Sequence, residues 1–176
     1  MATVKGAFIK AHVKRVEKEK GKEGVETLEK LYGKSLNFNN LRDYDTQDEE
    51  KLIKACLKMM EKDKPGKDPD VLAGRFHFET FAETLLGKTS LKLAINSPQE
   101  VFKVSQSVFP IVLKGADIEF IEEDKKTIKL IIKNAGYAPR HFEGFFKAVL
   151  DHKNIPHAIV TRVNTSNEYE YLVTFK

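Results

Sequence analysis

The stretch Asp117-Ile-Glu-Phe-Ile-Glu-Glu-Asp-Lys-Lys-Thr-Ile-Lys-Leu-Ile-Ile-Lys133 alternates apolar and polar residues, whereas the chain before it follows a helical period. A period of two is typical of β-strands that are buried on one face. Two such runs, residues 117–121 and 127–133, are separated only by the acidic-to-basic turn of residues 122–126. This short separation favours an antiparallel hairpin.

The residues that follow predict one helix and a second hairpin. Pro139 opens a segment whose apolar residues recur at helical spacing, namely Phe142, Phe145, Phe146, Val149 and Leu150. Residues 157–163 and 169–175 are again strand-like, and residues 164–167 form the turn between them. The order is therefore β-β-α-β-β, which predicts a four-stranded antiparallel sheet with one packed helix.

The rest of the chain is predicted to be mainly helical. Thr46 and Glu49 have the spacing of a capping box at a helix start, and Gly21 and Gly33 are helix stops. Helices are indicated at residues 4–20, 25–32, 46–62, 69–86 and 97–109, with an ordered loop at 35–45 and a turn at 64–67. We predict an α+β fold in a single domain of residues 1–176, with a mainly helical layer (1–114) followed by the sheet and its helix (115–176).

The composition indicates a globular protein, because hydrophobic residues make up 41% and charged residues 32% of the chain. The net charge is +4, but the basic excess lies near the start and is interleaved with acidic residues. A solvated helix surface explains this pattern better than a phosphate-binding face. No apolar run reaches the roughly 20 residues of a membrane span, and the single Cys56 excludes an intrachain disulfide. We expect a cytoplasmic protein that neither binds nucleic acid nor spans a membrane.

Sequence motifs of common enzyme classes are absent. The chain contains no G-x-S-x-G, G-x-x-x-x-G-K, G-x-G-x-x-G or H-E-x-x-H, and Cys56 lies on the apolar face of its helix, where it packs as a small hydrophobic residue. His141 and His152 are eleven residues apart on one helix, too far for joint metal ligation. His77 lies between two phenylalanines and can still meet another histidine in space. We expect no catalytic residue, no metal site and no enzymatic activity.

Aromatic residues are abundant, with 12 Phe and 5 Tyr. Helices that face a sheet with so many phenylalanines either fill the space between the layers or leave an apolar pocket. We leave both alternatives open. The candidates for lining such a pocket are Phe76, His77, Phe81, Phe102, Phe109, Phe145 and Phe146.

The chain resembles a superfamily of heme nitric-oxide-binding domains, vinyl-reductase-like hydrocarbon-binding domains and Bet3-like subunits of Golgi tethering complexes. The resemblance rests on the order of elements and on Val4-Lys-Gly6, the segment from Leu31-Tyr-Gly33 to Tyr44, and Gly136-Tyr-Ala-Pro139 before a helix. These residues look most like an uncharacterised bacterial family, paralogous in myxobacteria, that is related to this superfamily. The resemblance implies an apolar pocket between sheet and helices, and it implies that a homodimer can form.

In the heme-binding members of this superfamily, a Tyr-x-Ser-x-Arg motif on the second strand holds the propionates. The resemblance places its positions on Leu130, Ile132 and Asn134, and it places the proximal histidine near Val101 and Phe102. None of these positions carries the residue that the heme-binding members have there. We therefore expect no cofactor, heme included. The expected function is a non-catalytic sensor or regulatory module that binds a small apolar ligand without heme. The alternative is a protein–protein adaptor or scaffold with a filled core, which can be homodimeric.

Overall fold

The computed structural model describes residues 2–60, 66–94 and 97–175. Its seven strands are β1 (Thr3–Lys5), β2 (Asp43–Asp45), β3 (Leu113–Lys114), β4 (Asp117–Asp124), β5 (Thr127–Lys133), β6 (His157–Thr165) and β7 (Glu168–Phe175). Its six helices are α1 (Gly6–Tyr32), α2 (Thr46–Met59), α3 (Pro69–Glu83), α4 (Leu85–Leu93), α5 (Pro98–Val112) and α6 (His141–His152). The predicted turn at residues 64–67 lies partly outside the described residues.

The four C-terminal strands form an antiparallel sheet in the order β4-β5-β7-β6. The alternation that predicted these strands also decides which side chains are buried. Ile128, Leu130 and Ile132 of β5 and Tyr171 and Val173 of β7 are buried on the face that α5 and α6 cover. The predicted α+β fold, with a helical part followed by a β-β-α-β-β unit, is confirmed.

A second, smaller sheet joins distant parts of the helical layer. Its central strand β1 pairs with β2 and with β3, both antiparallel. Val4 therefore lies in a strand and not in the predicted helix, and residues 43–45 form a strand and not part of a loop, so both predictions are wrong. Strands of two or three residues are too short to leave a periodic signal in the sequence.

Helix α1 contains a break at Gly21, as predicted: the backbone there is non-helical, at φ 67° and ψ −166°, and a second helical segment continues beyond this kink to Tyr32. The helix predicted at residues 69–86 is two helices, since α3 ends at Glu83 and the hydroxyl of Thr84 then accepts the N–H of Gly87 as the cap of α4. None of the described helices is long and apolar enough to cross a membrane.

Helix α3 lies between two hydrophobic cores. Phe76 belongs to the core among α1, α2 and α3, and Phe78 belongs to the core between the sheet and α5 and α6. Because consecutive residues of a helix point about 100° apart, His77 is placed at the boundary of the two cores. A helix that is apolar on most sides in this way has to be buried.

Candidate functional site

Glu49 is a carboxylate with no exposed surface, on the first turn of α2. Its Oε1 lies 3.1 Å from His12 Nε2, and its Oε2 accepts a hydrogen bond from the hydroxyl of Tyr137. The capping box predicted for Thr46 and Glu49 was wrong. Asp45 caps the helix by accepting the N–H of Gln47 at 2.8 Å, and this leaves the side chain of Glu49 free to turn into the protein.

His77 on α3 lies beside this carboxylate. Its Nε2 is 4.0 Å from Glu49 Oε1, and its Nδ1 is 3.0 Å from His141 Nε2. The rings of His77 and His12 pack edge to face, with centroids 5.4 Å apart. One ligand atom each of His12, Glu49 and His77 lies within 4.8 Å of the other two. Three helices, α1, α2 and α3, thus bring two imidazoles and one carboxylate together in the interior.

His141 and Tyr137 enclose the group from the C-terminal half of the chain. The ring of His141 is completely buried and stacks on the ring of Tyr137 at 4.4 Å. Two buried ring nitrogens, Nδ1 of His12 and Nδ1 of His141, have no hydrogen-bond partner among the described residues. The carboxylate next to His141 Nδ1 is that of Glu50, whose Oε1 is 4.0 Å away. Unpartnered buried nitrogens are rare in folded proteins.

The protonation states follow from burial. Burial lowers the pKa of His77 to about 4, although Glu49 opposes the shift and His12 adds to it. Burial also moves the pKa of His141 well below its usual value, with a smaller contribution from His77. Burial alone would raise the pKa of Glu49. The imidazoles of His77 and His12 and the Tyr137 hydroxyl have a larger opposite effect, so the pKa of Glu49 is lowered. At neutral pH the site therefore holds neutral His77 and His141 beside an ionised carboxylate, the forms in which these groups bind metals.

An apolar cavity of about 70 Å³ adjoins this group. Its walls come from α3, α4, α5 and α6, and His77 belongs both to its wall and to the cluster around Glu49. Residues that line it include His77, Phe78, Phe81, Ala94, Val101, Val104, Phe109, Tyr137, Phe142 and Phe145.

The structure separates the seven pocket candidates into two groups. His77, Phe81, Phe109 and Phe145 line the cavity. Phe76 instead stacks on His12 at 5.8 Å in the helical core, and Phe102 and Phe146 pack against each other at 5.5 Å above the sheet.

Four residues of the cluster were not predicted as site residues from the sequence: His12, Glu49, Tyr137 and His141. For His12 a signal was present, because a histidine at a position of the apolar helical period has to be satisfied inside the protein. For Glu49 the capping pattern suggested a different role, and its real partners are distant in sequence.

Comparison with known proteins identifies the family and the fold. The profile of a family described as "Protein of unknown function (DUF2378)" matches residues 1–175. No curated protein matches the chain significantly in sequence.

Several solved structures are similar over almost the whole chain. An H-NOX mutant of T. tengcongensis has a TM-score of 0.63 at 15% identity, covering 98% of this chain and 97% of that one. An S. oneidensis H-NOX protein in the Fe(II)NO ligation state has 0.61 at 15%, covering 98% and 99%. The Fe(II) unliganded H-NOX protein of K. algicida has 0.61 at 13%, covering 98% and 96%. At these identities the likeness shows a shared fold, and together with the family match it confirms the resemblance to an uncharacterised family related to heme nitric-oxide-binding domains.

The expectation that the chain has no cofactor and no metal site was wrong. The similar structures include iron-containing H-NOX proteins and one that concerns the heme redox potential and porphyrin distortion. In this chain, His12, Glu49 and His77 form a group that could hold a metal ion. The heme-anchoring motif has no counterpart at its implied positions, where Leu130 and Ile132 are buried in the sheet core. The residues present thus fit a metal at the His12, Glu49 and His77 group rather than a porphyrin anchored through that motif.

Proposed function

The chain belongs to the DUF2378 family of proteins of unknown function, and we propose that it is a non-catalytic sensor domain that binds a small apolar molecule in the cavity between α3, α4, α5 and α6. The observation that carries the proposal is the cavity itself. Its wall is built from aromatic and aliphatic side chains, with few polar groups such as Ser90, Ser105 and Tyr137. Apolar lining with a few placed polar groups is the usual composition of small-molecule sites.

The size of the cavity limits the ligand. About 70 Å³ is roughly half the volume of an engineered apolar cavity that accepts benzene or xenon. The occupant is therefore a molecule of a few non-hydrogen atoms, such as a diatomic gas or a short hydrocarbon. An adaptor with a filled core would not need this space, which is why we favour the sensor.

The H-NOX-like fold supports the same assignment, because those neighbours include a protein with NO as a ligand. In this chain the wall of the cavity is shared with the His77 side chain, so an occupant would contact a residue that is connected to the polar cluster. Such a contact gives a route by which occupancy changes the surrounding helices.

Xenon is a suitable probe because it is apolar and consists of a single atom. Val101, Val104 and Leu91 line the cavity. We expect saturable changes in their methyl NMR signals when the purified protein is equilibrated with xenon. Val104→Phe should fill the cavity and abolish these changes. Val163→Phe, at a position 58% exposed on β6, is the matched control and should leave them intact.

Two results would contradict the proposal. One is the absence of saturable shifts in the wild-type protein. The other is a Val104→Phe variant that keeps its circular dichroism spectrum and melting temperature and still shows the wild-type xenon response.

A further inference from the structure

We propose that His12, Glu49 and His77 bind a divalent first-row transition-metal ion in the interior of the helical layer. The proposal does not depend on whether the apolar cavity has an occupant. Two imidazoles and one carboxylate are a recurrent ligand set for Zn²⁺ and for non-heme Fe²⁺.

The charge of the site is the first argument. Glu49 has no exposed surface, and among the described residues no Lys or Arg pairs with it, its ion-pair contacts being His12 and His77. A buried carboxylate needs a cationic partner or metal coordination to offset the loss of hydration. A divalent cation between the three side chains supplies the positive charge that no described Lys or Arg provides.

The spacing of the ligand atoms is the second argument. Two ligands bound at about 2.0–2.1 Å to a tetrahedral ion lie about 3.3 Å apart, and more where the angle between them is wider. His12 Nε2 is 3.1 Å from Glu49 Oε1, and His77 Nε2 is 4.0 Å from the same oxygen. The three ligand atoms all lie within 4.8 Å of one another, and small side-chain rotations bring them to coordination distance. Three protein ligands leave the fourth position of a tetrahedral ion free, as in catalytic zinc sites.

The partners of His77 and Glu49 are the third argument, whereas Nδ1 of His12 has no partner among the described residues. A metal-binding histidine usually donates its other ring N–H to a neighbour, which orients the ring. His77 Nδ1 has such a neighbour in His141 Nε2 at 3.0 Å. If His141 accepts there, its own proton sits on Nδ1, the unpartnered nitrogen 4.0 Å from Glu50. With the proton of His77 on Nδ1, the lone pair on its Nε2 is free to bind the ion. Tyr137 in turn holds the second oxygen of Glu49.

The test uses the full chain with any affinity tag removed, stripped with a chelator and then titrated with Co²⁺ and with Zn²⁺. We expect one equivalent to bind, with visible Co²⁺ absorption bands that Zn²⁺ displaces and a rise in melting temperature. Glu49→Gln and His12→Gln should weaken binding at least 100-fold, and His141→Gln, which removes only the partner of His77, about 10- to 100-fold. His152→Gln, on the last turn of α6 and outside the cluster, is the matched control and should bind as the wild type.

The variants distinguish a metal site from a purely structural cluster. Glu49→Gln keeps the shape of the side chain, and its near-ultraviolet circular dichroism shows whether the fold persists. Absence of saturable one-equivalent binding in the wild type would overturn the proposal. So would wild-type affinity in a folded Glu49→Gln/His12→Gln double variant, or a Soret band in the purified protein that disappears in His77→Gln.

Discussion

Gly74 on α3 lies directly against the backbone of His141 on α6. A Cβ atom at residue 74 would be 1.7 Å from the carbonyl oxygen of His141. The relationship is reciprocal, because a Cβ at Gly144 of α6 would be 2.0 Å from the carbonyl oxygen of Val71 on α3. Two glycines therefore let the helices touch backbone to backbone. His77 follows Gly74 by one turn and His141 precedes Gly144 by one turn, so this close crossing brings the two imidazoles together.

Gly74→Ala should therefore separate α3 from α6. Glycine to alanine normally stabilises a helix by about 0.5–1 kcal/mol. Here the added methyl group meets backbone that cannot rotate away, and we expect a loss of about 3 kcal/mol or more in the free energy of unfolding. Urea denaturation measures it. Ser107→Ala, an exposed change on α5, is the control and should alter stability by less than about 0.5 kcal/mol. A stabilised Gly74→Ala variant would show that the helices do not touch here.

Tyr137→Phe should destabilise the metal-free protein by about 1–3 kcal/mol, because it leaves one buried oxygen of Glu49 without a donor. Tyr169→Phe is the matched control. Its hydroxyl donates to the carbonyl of Ser166 at the exposed turn between β6 and β7, where water can replace it. We expect Tyr169→Phe to lower the free energy of unfolding by less than about 1 kcal/mol. Equal costs in urea denaturation with chelator present would mean that the Glu49 contact contributes no more than an ordinary surface hydrogen bond.

The C-terminal sheet could be predicted from the sequence and the cluster around Glu49 could not, and the reason is physical. The alternation in β5 is local, and burial on one face of a sheet depends on neighbours within a few residues, so the C-terminal unit could be predicted. The cluster depends on contacts between residues 37, 64 and 88 positions apart, namely His12 with Glu49, His77 with His141, and Glu49 with Tyr137. No local period encodes such pairs. The sequence pattern at Glu49 instead predicted a helix-capping role for the residue at the centre of the site.

Cys56 should be inert while the protein is folded, as its position on the apolar face of α2 predicted. Burial raises the pKa of its thiol to about 12, so the reactive thiolate is scarce at pH 8. We expect a disulfide reagent to label native Cys56 about 1,000-fold more slowly than the urea-unfolded chain. Ser107→Cys in a Cys56→Ala background offers an exposed thiol and should react at the unfolded rate. Native labelling within tenfold of that control would contradict burial of Cys56.

Glu143 should set part of the acid sensitivity of the fold. Burial raises the pKa of this carboxyl, but hydrogen bonds from Arg140, Lys147 and Thr161 outweigh it and lower the pKa to about 2. Between about pH 4.5 and pH 2 the unfolded chain therefore binds more protons here than the folded one. The stabilisation, up to about 3 kcal/mol, is complete above about pH 4.5 and is lost as the pH falls through 2.

Comparison of the wild type with Glu143→Gln isolates this contribution. The difference in unfolding free energy between the two proteins should be constant from pH 7 to 5 and smaller by about 2 kcal/mol at pH 3. Arg140→Gln removes the two guanidinium hydrogen bonds to Glu143. In this variant the stabilisation by Glu143 should disappear at a higher pH than in the wild type. Urea denaturation at each pH measures both effects. A difference that stays the same at pH 3 and pH 7 would show that Glu143 is not held as an ionised carboxylate by these three partners.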